Sequence, residues 1–81
     1  PMTWDREEDA RGLKCPLPVL RAARALRAMR EGEVLRLVAT DPMAAIDLPH
    51  FCREAGHAHL GMAEGADGAQ AHLIRRGPDR G

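Results

Sequence analysis

Two cysteines, four histidines and twelve carboxylates are the residues of this chain that could serve as nucleophiles, metal ligands or acid–base groups. One of them stands in a setting that changes its chemistry. In Gly12-Leu13-Lys14-Cys15-Pro16-Leu17-Pro18-Val19-Leu20 a thiol precedes a proline that opens an alanine- and leucine-rich stretch. A residue before proline is pushed out of the helical region, and proline suits the first helical position, so the sequence predicts Cys15 at a helix N-cap. The helix dipole is positive there, Lys14 and Arg11 add cations, and such surroundings lower a thiol's pKa and increase its thiolate fraction. Pro16 and Pro18 remove two donors from the first turn, leaving the Leu17 amide as the N–H best placed to face the sulfur. The pattern predicts a nucleophilic, partly exposed thiolate.

The other reactive residues have plainer readings. Cys52 falls in an apolar stripe with Leu48, Phe51 and Ala55, the spacing of a packed structural cysteine rather than a second sulfur-bearing one. His57, His59 and His72 would share one side of a hairpin, but no Cys-x-x-Cys accompanies them, so they read as polar residues on an uncovered sheet face rather than as metal ligands. Arg21, Arg24, Arg27 and Arg30 make a stripe that reads first as a solvated face. The nearness of Arg11, Arg21 and Arg24 to Cys15 also makes them candidates for docking a partner.

The elements that must position Cys15 follow from the periodicity. Residues 3 to 9 carry five charges and one large apolar residue, Trp4, so a strand there belongs at an edge. Leu20, Ala23, Leu26 and Met29 recur at helical spacing over residues 16 to 30, and Gly32 closes the helix. Val34 to Thr40 is β-branched and aliphatic on both faces, the pattern of a central strand that completes a βαβ unit. Asp41-Pro42 starts a second helix near Met43, which Pro49 breaks or restarts and Gly56 ends. Residues 57 to 64 and 69 to 76 form a hairpin about Gly65-Ala66-Asp67-Gly68. With Glu64 opposite Ala69, Leu60 faces Leu73 and Met62 faces Ala71. The tail from Gly77 to Gly81 reads as frayed. The order is βαβαββ, an α/β two-layer sandwich with two helices packed on one face of the sheet.

Size and composition narrow the function. Eighty-one residues make a single domain over residues 1–81, with an ordered core of about 3–77, and a chain this short buries only about 60% of its unfolded surface. Twelve basic residues balance twelve acidic ones, so no overall charge attracts nucleic acid or a membrane. Trp4 and Phe51 are the only aromatic residues, too few for the stacking platforms of single-strand binders. The lack of an apolar leader or a long apolar run, with only two cysteines, predicts a reduced, cytoplasmic protein without a membrane span. Pro1 is not a natural start, which implies the removal of an initiator methionine or a tag. Nothing in the pattern demands more than a monomer.

Asp9-Ala10-Arg11-Gly12-Leu13-Lys14-Cys15-Pro16-Leu17-Pro18 resembles the signature of the TusA/SirA sulfurtransferase family, whose Cys-Pro-x-Pro motif opens the first helix. Asp41-Pro42, Asp47-Leu48-Pro49-His50-Phe51-Cys52 and Leu73-Ile74-Arg75-Arg76-Gly77 are similar to later landmarks of that family, so the resemblance spans about residues 5 to 77. It implies a four-stranded mixed sheet under two helices, similar to the C-terminal domain of bacterial translation initiation factor three. It also implies a function: Cys15 accepts sulfane sulfur as a persulfide and passes it to an acceptor cysteine. Gly12, Lys14, Pro16, Leu17 and Pro18 would support the site, with no metal or organic cofactor. The implied partners are proteins, a donor such as a cysteine desulfurase or a rhodanese and a persulfide acceptor, with tRNA-modification machinery served indirectly. Two positions depart from the family. Leu17 stands where the tRNA-thiolating member has glutamate, which favours a more apolar partner surface, as in sulfur oxidation or sulfur delivery to a cofactor-making enzyme. Glu8 stands where an apolar residue usually precedes the Asp9-Ala10 pair. The competing readings are a non-catalytic regulatory or binding module on this fold, and a dithiol redox protein using Cys15 and Cys52.

Overall fold

The computed structural model describes residues 3–79. Its elements run β1 (Arg6–Ala10), α1 (Leu17–Arg27), β2 (Val34–Ala39), α2 (Ala44–Ala55), β3 (Ala58–Glu64) and β4 (Gln70–Arg75), the βαβαββ order expected. The four strands form one mixed sheet in the order β1-β2-β4-β3. β1 pairs parallel to β2, and β4 runs antiparallel to both of its neighbours. The charged β1 lies at an edge and the aliphatic β2 is internal, as their compositions require.

Alternation along the strands decides which side chains meet the helices. Leu35, Leu37 and Ala39 of β2, Ile74 of β4 and Ala10 of β1 are fully buried. They pack with Ala22, Ala25, Leu26 and Met29 of the α1 segment and Ala44, Leu48 and Cys52 of α2. With so few aromatics the core is mostly leucine and alanine, and the small Ala22 and Ala25 let α1 lie close to the sheet. Val19 and Phe51 extend this core from its margin.

Several boundaries differ from the sequence reading. α1 spans Leu17–Arg27 rather than 16 to 30, because its end tightens: Ala28 and Met29 donate to Ala25 and Leu26, three residues back. Arg76 then ties that end to the sheet, its Nε donating to the Leu26 carbonyl at 3.0 Å. Pro49 neither breaks nor restarts α2, which runs unbroken past it. Leu48 and Cys52 on either side are fully buried, and that packing holds the helix where proline removes a hydrogen bond. Gly56 ends α2 in the left-handed conformation, at φ 84°.

The hairpin closes one residue out of the expected register. Gly65 donates to Ala69, so Glu64 stands opposite Gln70, Ala63 opposite Ala71 and Met62 opposite His72. A bulge between His59 and Gly61 then sets Gly61, not Leu60, against Leu73. The histidines are corrected as well. His72 is fully buried on the helix-covered face beside Gln70 and Ile74, while Ala71 and Leu73 alternate to the open face with Leu60, Arg36 and Trp4. His57 stands apart, accepting a hydrogen bond from Gly77. Gly77 and Asp79 are therefore held rather than frayed, Asp79 by Arg76 at 2.7 Å. Pro1, Arg80 and Gly81 lie outside the described residues.

Candidate functional site around Cys15

Parallel β1 and β2 end side by side, and both helices begin at that edge, so the loop from Arg11 to Pro16 spans the starts of α1 and α2. Each turn of this loop has a partner. Asp9 accepts from the Arg11 amide at 3.0 Å, and Gly12, at φ 80°, donates its amide to the Thr40 hydroxyl at 2.9 Å. The Cys15 amide donates to Asp41 Oδ2 at 2.7 Å, and the other oxygen of that carboxylate accepts from the Met43 amide at 3.1 Å. One aspartate thus fastens the cysteine loop to the start of α2. It is the Asx arrangement that Asp41-Pro42 suggests, with a long-range bond added.

Cys15 is exposed, but three expectations about it are overturned. The N-cap of α1 is Pro16, with no side-chain capping bond, and Cys15 lies one residue outside. The Cys15-Pro16 peptide is cis, and the Leu17 amide donates to the Lys14 carbonyl at 2.7 Å, closing a turn instead of facing the sulfur. The thiol is not acidified. The Asp47 carboxylate beside it, then partial desolvation and the charge of Asp41, raise its pKa above the ordinary value. The sequence showed the cations before the helix but not the two carboxylates that the start of α2 brings beside them.

The cations have other engagements. Arg11 pairs with Asp9 at 2.9 Å and holds that carboxyl down at about 2. Lys14 acts on Asp41, whose pKa is lowered first by the amides of Cys15 and Met43 and then by the lysine charge. Arg21 donates to the Asp9 carbonyl at 3.0 Å and lies 3.9 Å from Glu8. Arg24 has no ion-pair partner among the described residues. Arg21 and Arg24 line a shallow groove with Leu13, Leu17 and Leu20, of which Leu17 is 47% and Leu20 56% exposed.

Some participants escaped the sequence reading. Thr40, Asp47 and the reach of the Asp41 carboxylate to the Cys15 amide were missed. So were Met43 and Ile46, 44% and 64% exposed at the start of α2. Exposed apolar residues next to a site are a signal of contact surface, but only the fold shows that these flank the cysteine loop. Behind the loop runs a buried chain of hydrogen bonds. His59 and His72 meet at 2.9 Å, His72 reaches Gln70 Oε1 at 2.8 Å, and Gln70 donates to the Asp41 carbonyl at 3.0 Å. Gln70 can only accept at Oε1, so His72 carries its proton on Nε2 and accepts from His59 Nε2. Cys52 belongs to the core, where burial pushes its thiol up to about 11. Among the described residues no group of three His, Cys, Asp or Glu side chains could hold a metal ion.

The fold and the site define a class: small two-layer α/β domains that display one cysteine at the edge where both helices begin. The family described as sulfurtransferase TusA matches residues 6–76, and the chain belongs to that family of sulfur carriers. It is 41% identical over 71 residues to the sulfur carrier protein TusA of Allochromatium vinosum, covering 88% of this chain and 91% of the relative. It is also 41% identical over 75 residues to the TusA of Pseudomonas entomophila, covering 93% and 92%. The crystal structure of the SirA-like protein from Desulfitobacterium hafniense matches the fold with a TM-score of 0.80 at 25% identity, over 91% of this chain and all of that one.

Proposed function

We propose that this protein is a sulfur-relay carrier that takes sulfane sulfur as a persulfide on Cys15 and hands it to a cysteine of an acceptor protein. The observation that carries the reading is the position of Cys15, exposed at the rim on a loop pinned at Gly12 and Cys15. A partner's cysteine can reach a sulfur placed there, and the pinned backbone fixes its direction. As a thiolate, Cys15 attacks the outer sulfur of a donor persulfide. A sulfur–sulfur bond forms at Cys15, the donor's own bond breaks, and its electron pair leaves on the donor thiolate, which takes up the proton that Cys15 gave up. Delivery is the same displacement with Cys15 as the leaving group, so no oxidant is consumed.

The surroundings support partner proteins as donor and acceptor. Leu17, Leu20, Met43 and Ile46 offer apolar contact on both sides of the cysteine loop, and Arg24 offers a cation with no ion-pair partner among the described residues. Leu17, in place of glutamate, favours an apolar partner surface over a basic one, which fits a relay toward sulfur oxidation or a cofactor-making enzyme better than one toward tRNA. The cytoplasm, where thiols stay reduced, suits this chemistry, and residues 3 to 77 would act as one monomeric unit.

Intact-protein mass spectrometry tests the proposal. After incubation with a cysteine desulfurase and cysteine, or with a rhodanese and thiosulfate, wild type should gain one reducible sulfur atom that maps to Cys15. Cys15→Ser should gain none and Cys52→Ser should still load. A folded wild-type protein that loads from neither donor would favour the binding-module reading.

A further inference from the structure

Asp41 is bonded through both its side chain and its carbonyl. One carboxylate oxygen accepts from the Cys15 amide at 2.7 Å, the other from the Met43 amide at 3.1 Å, and the carbonyl accepts from the Ala44 amide at 2.9 Å. Met43 caps α2 and Ala44 opens it, so these bonds tie the cysteine loop to a helix end and not to the sheet. The tie to the sheet comes from Gln70, whose Nε2 donates to the same Asp41 carbonyl at 3.0 Å. Gln70 opens β4 in one row with Ala39 and Ala10, the last residues of β2 and β1. It is 5% exposed, and its Oε1 accepts from Nε2 of the fully buried His72 at 2.8 Å. His72 stays neutral, since burial pushes its pKa down to about 4, which leaves its Nδ1 to accept from His59 at 2.9 Å. The donors along this chain all point toward Asp41, and each bond polarises the next. Turning the Gln70 amide over would set its oxygen against the Asp41 carbonyl and its N–H against that of His72. We propose that Gln70 is a positioning residue for sulfur transfer: anchored in the sheet, it fixes Asp41 and, through the Asp41 carboxylate, sets the direction in which Cys15 presents its sulfur.

This role rests on the reading of Cys15 as the sulfur-bearing thiol and adds what aims it. Displacement at a persulfide needs the attacking sulfur in line with the bond that breaks, so small misplacements slow it. Docking fixes a partner's surface on the domain, but the loop that carries Cys15 has to be fixed to that same body. Gly12 is fixed to the end of β2 through Thr40, and Cys15 to β4 through Asp41 and Gln70. Without the Gln70 bond, Cys15, Asp41 and the start of α2 stay bonded to one another but can shift together against the sheet. Packing alone does not call for a glutamine and a histidine here. The surrounding core is mostly leucine and alanine, and an apolar pair of the same shape would fill the space at little cost. What the polar pair adds is the bond to Asp41.

The test uses the full chain. Gln70→Met keeps the length of the side chain and removes both amide atoms. Gln70→Met combined with His72→Leu does so without leaving the His72 N–H unpaired, and serves if the single variant does not fold. Leu26→Ala, a core change that touches none of these bonds, controls for lost stability. In the amide NMR spectrum of the free protein, the Cys15 and Met43 resonances should move in the Gln70 variant, while that of Gly12, bonded to Thr40, should stay. With a protein sulfur donor, at a temperature where all variants are folded, the loading rate at saturation should fall by about tenfold, as a misplaced reacting group requires. The donor concentration at half-saturation should not change, because Leu17, Leu20 and Arg24 are untouched. Unmoved Cys15 and Met43 resonances would overturn the inference. So would a saturating rate no lower than that of Leu26→Ala, or a raised half-saturating concentration at an unchanged saturating rate. A folded wild type that loads from no donor counts against the carrier function alone, and the amide resonances then decide whether Gln70 holds the cysteine loop.

Discussion

The carboxylates of Asp47 and Asp41 act on different parts of Cys15, the first raising the pKa of its thiol and the second holding its backbone. Their removal should have separable effects. Asp41→Ala frees the loop and the Met43 amide together, so it should lower the melting temperature and slow sulfur loading, both read on the same sample. Cys52 gives the opposite case, a thiol without reach. It is fully buried, with its pKa raised to about 11, which disfavours the reactive thiolate. Cys52→Ser should keep loading intact while costing about 1–3 kcal/mol in denaturant unfolding, because a hydroxyl replaces sulfur in an apolar setting.

Among the elements, β4 shows how one strand serves both the core and the site. Ile74 packs under the helices, and His72 and Gln70 carry a buried polar chain to the Asp41 carbonyl. Burial, with the neighbouring His59 adding to it, depresses the pKa of His72 from an ordinary 6.5 to about 4. A histidine held neutral in the fold binds its proton more readily when unfolded, so stability rises with pH across this window. Its contribution is complete above about 6.5 and should be lost progressively as pH falls toward about 4. Urea unfolding at stepped pH checks this, and a flat profile would mean that His72 does not stay neutral and buried. The helix–sheet contact is carried by Leu26 and Leu48, both at 1% exposure or less. Either leucine changed to alanine should cost about 2–5 kcal/mol in the same assay. At the far end Gly77 passes so close to the Gly56 carbonyl that an added Cβ would collide with backbone, so Gly77→Ala should also lower the melting temperature.

At the scale of the whole molecule, charge is balanced overall and uneven locally. The formal net charge is zero, so long-range attraction of a partner has to come from patches. One patch is the exposed face of α1, where Arg24 lies beside Leu17 and Leu20. Reversing it with Arg24→Glu should lower the rate of sulfur loading from a protein donor several-fold at low ionic strength. The difference should shrink at about 0.5 M salt, where the screening length is only a few ångströms. Loading from a small-molecule persulfide should be unaffected, since it needs no docking surface. No described helix is long and apolar enough to cross a membrane, and Cys15 is exposed while Cys52 is buried.

The sequence by itself determined the element order, the edge position of β1, the internal position of β2 and the packed fate of Cys52, and it marked Cys15 as the candidate nucleophile. These follow from neighbours in the chain: periodicity, β-branched runs, glycine stops and the proline after the thiol all act over a few residues. The family resemblance supplied the mixed sheet in the same way, through short motifs. Tertiary structure alone decided which carboxylates surround Cys15, because Asp41 stands 26 residues away and reaches the cysteine only when β1 and β2 end together. It also decided the hairpin register and the burial of His72. Either face of an alternating strand can turn inward until packing under α1 and α2 and the bulge beside His59 choose one. Local order in this chain is written in adjacent residues, whereas the charge that a sulfur experiences depends on which distant segments the fold brings beside it.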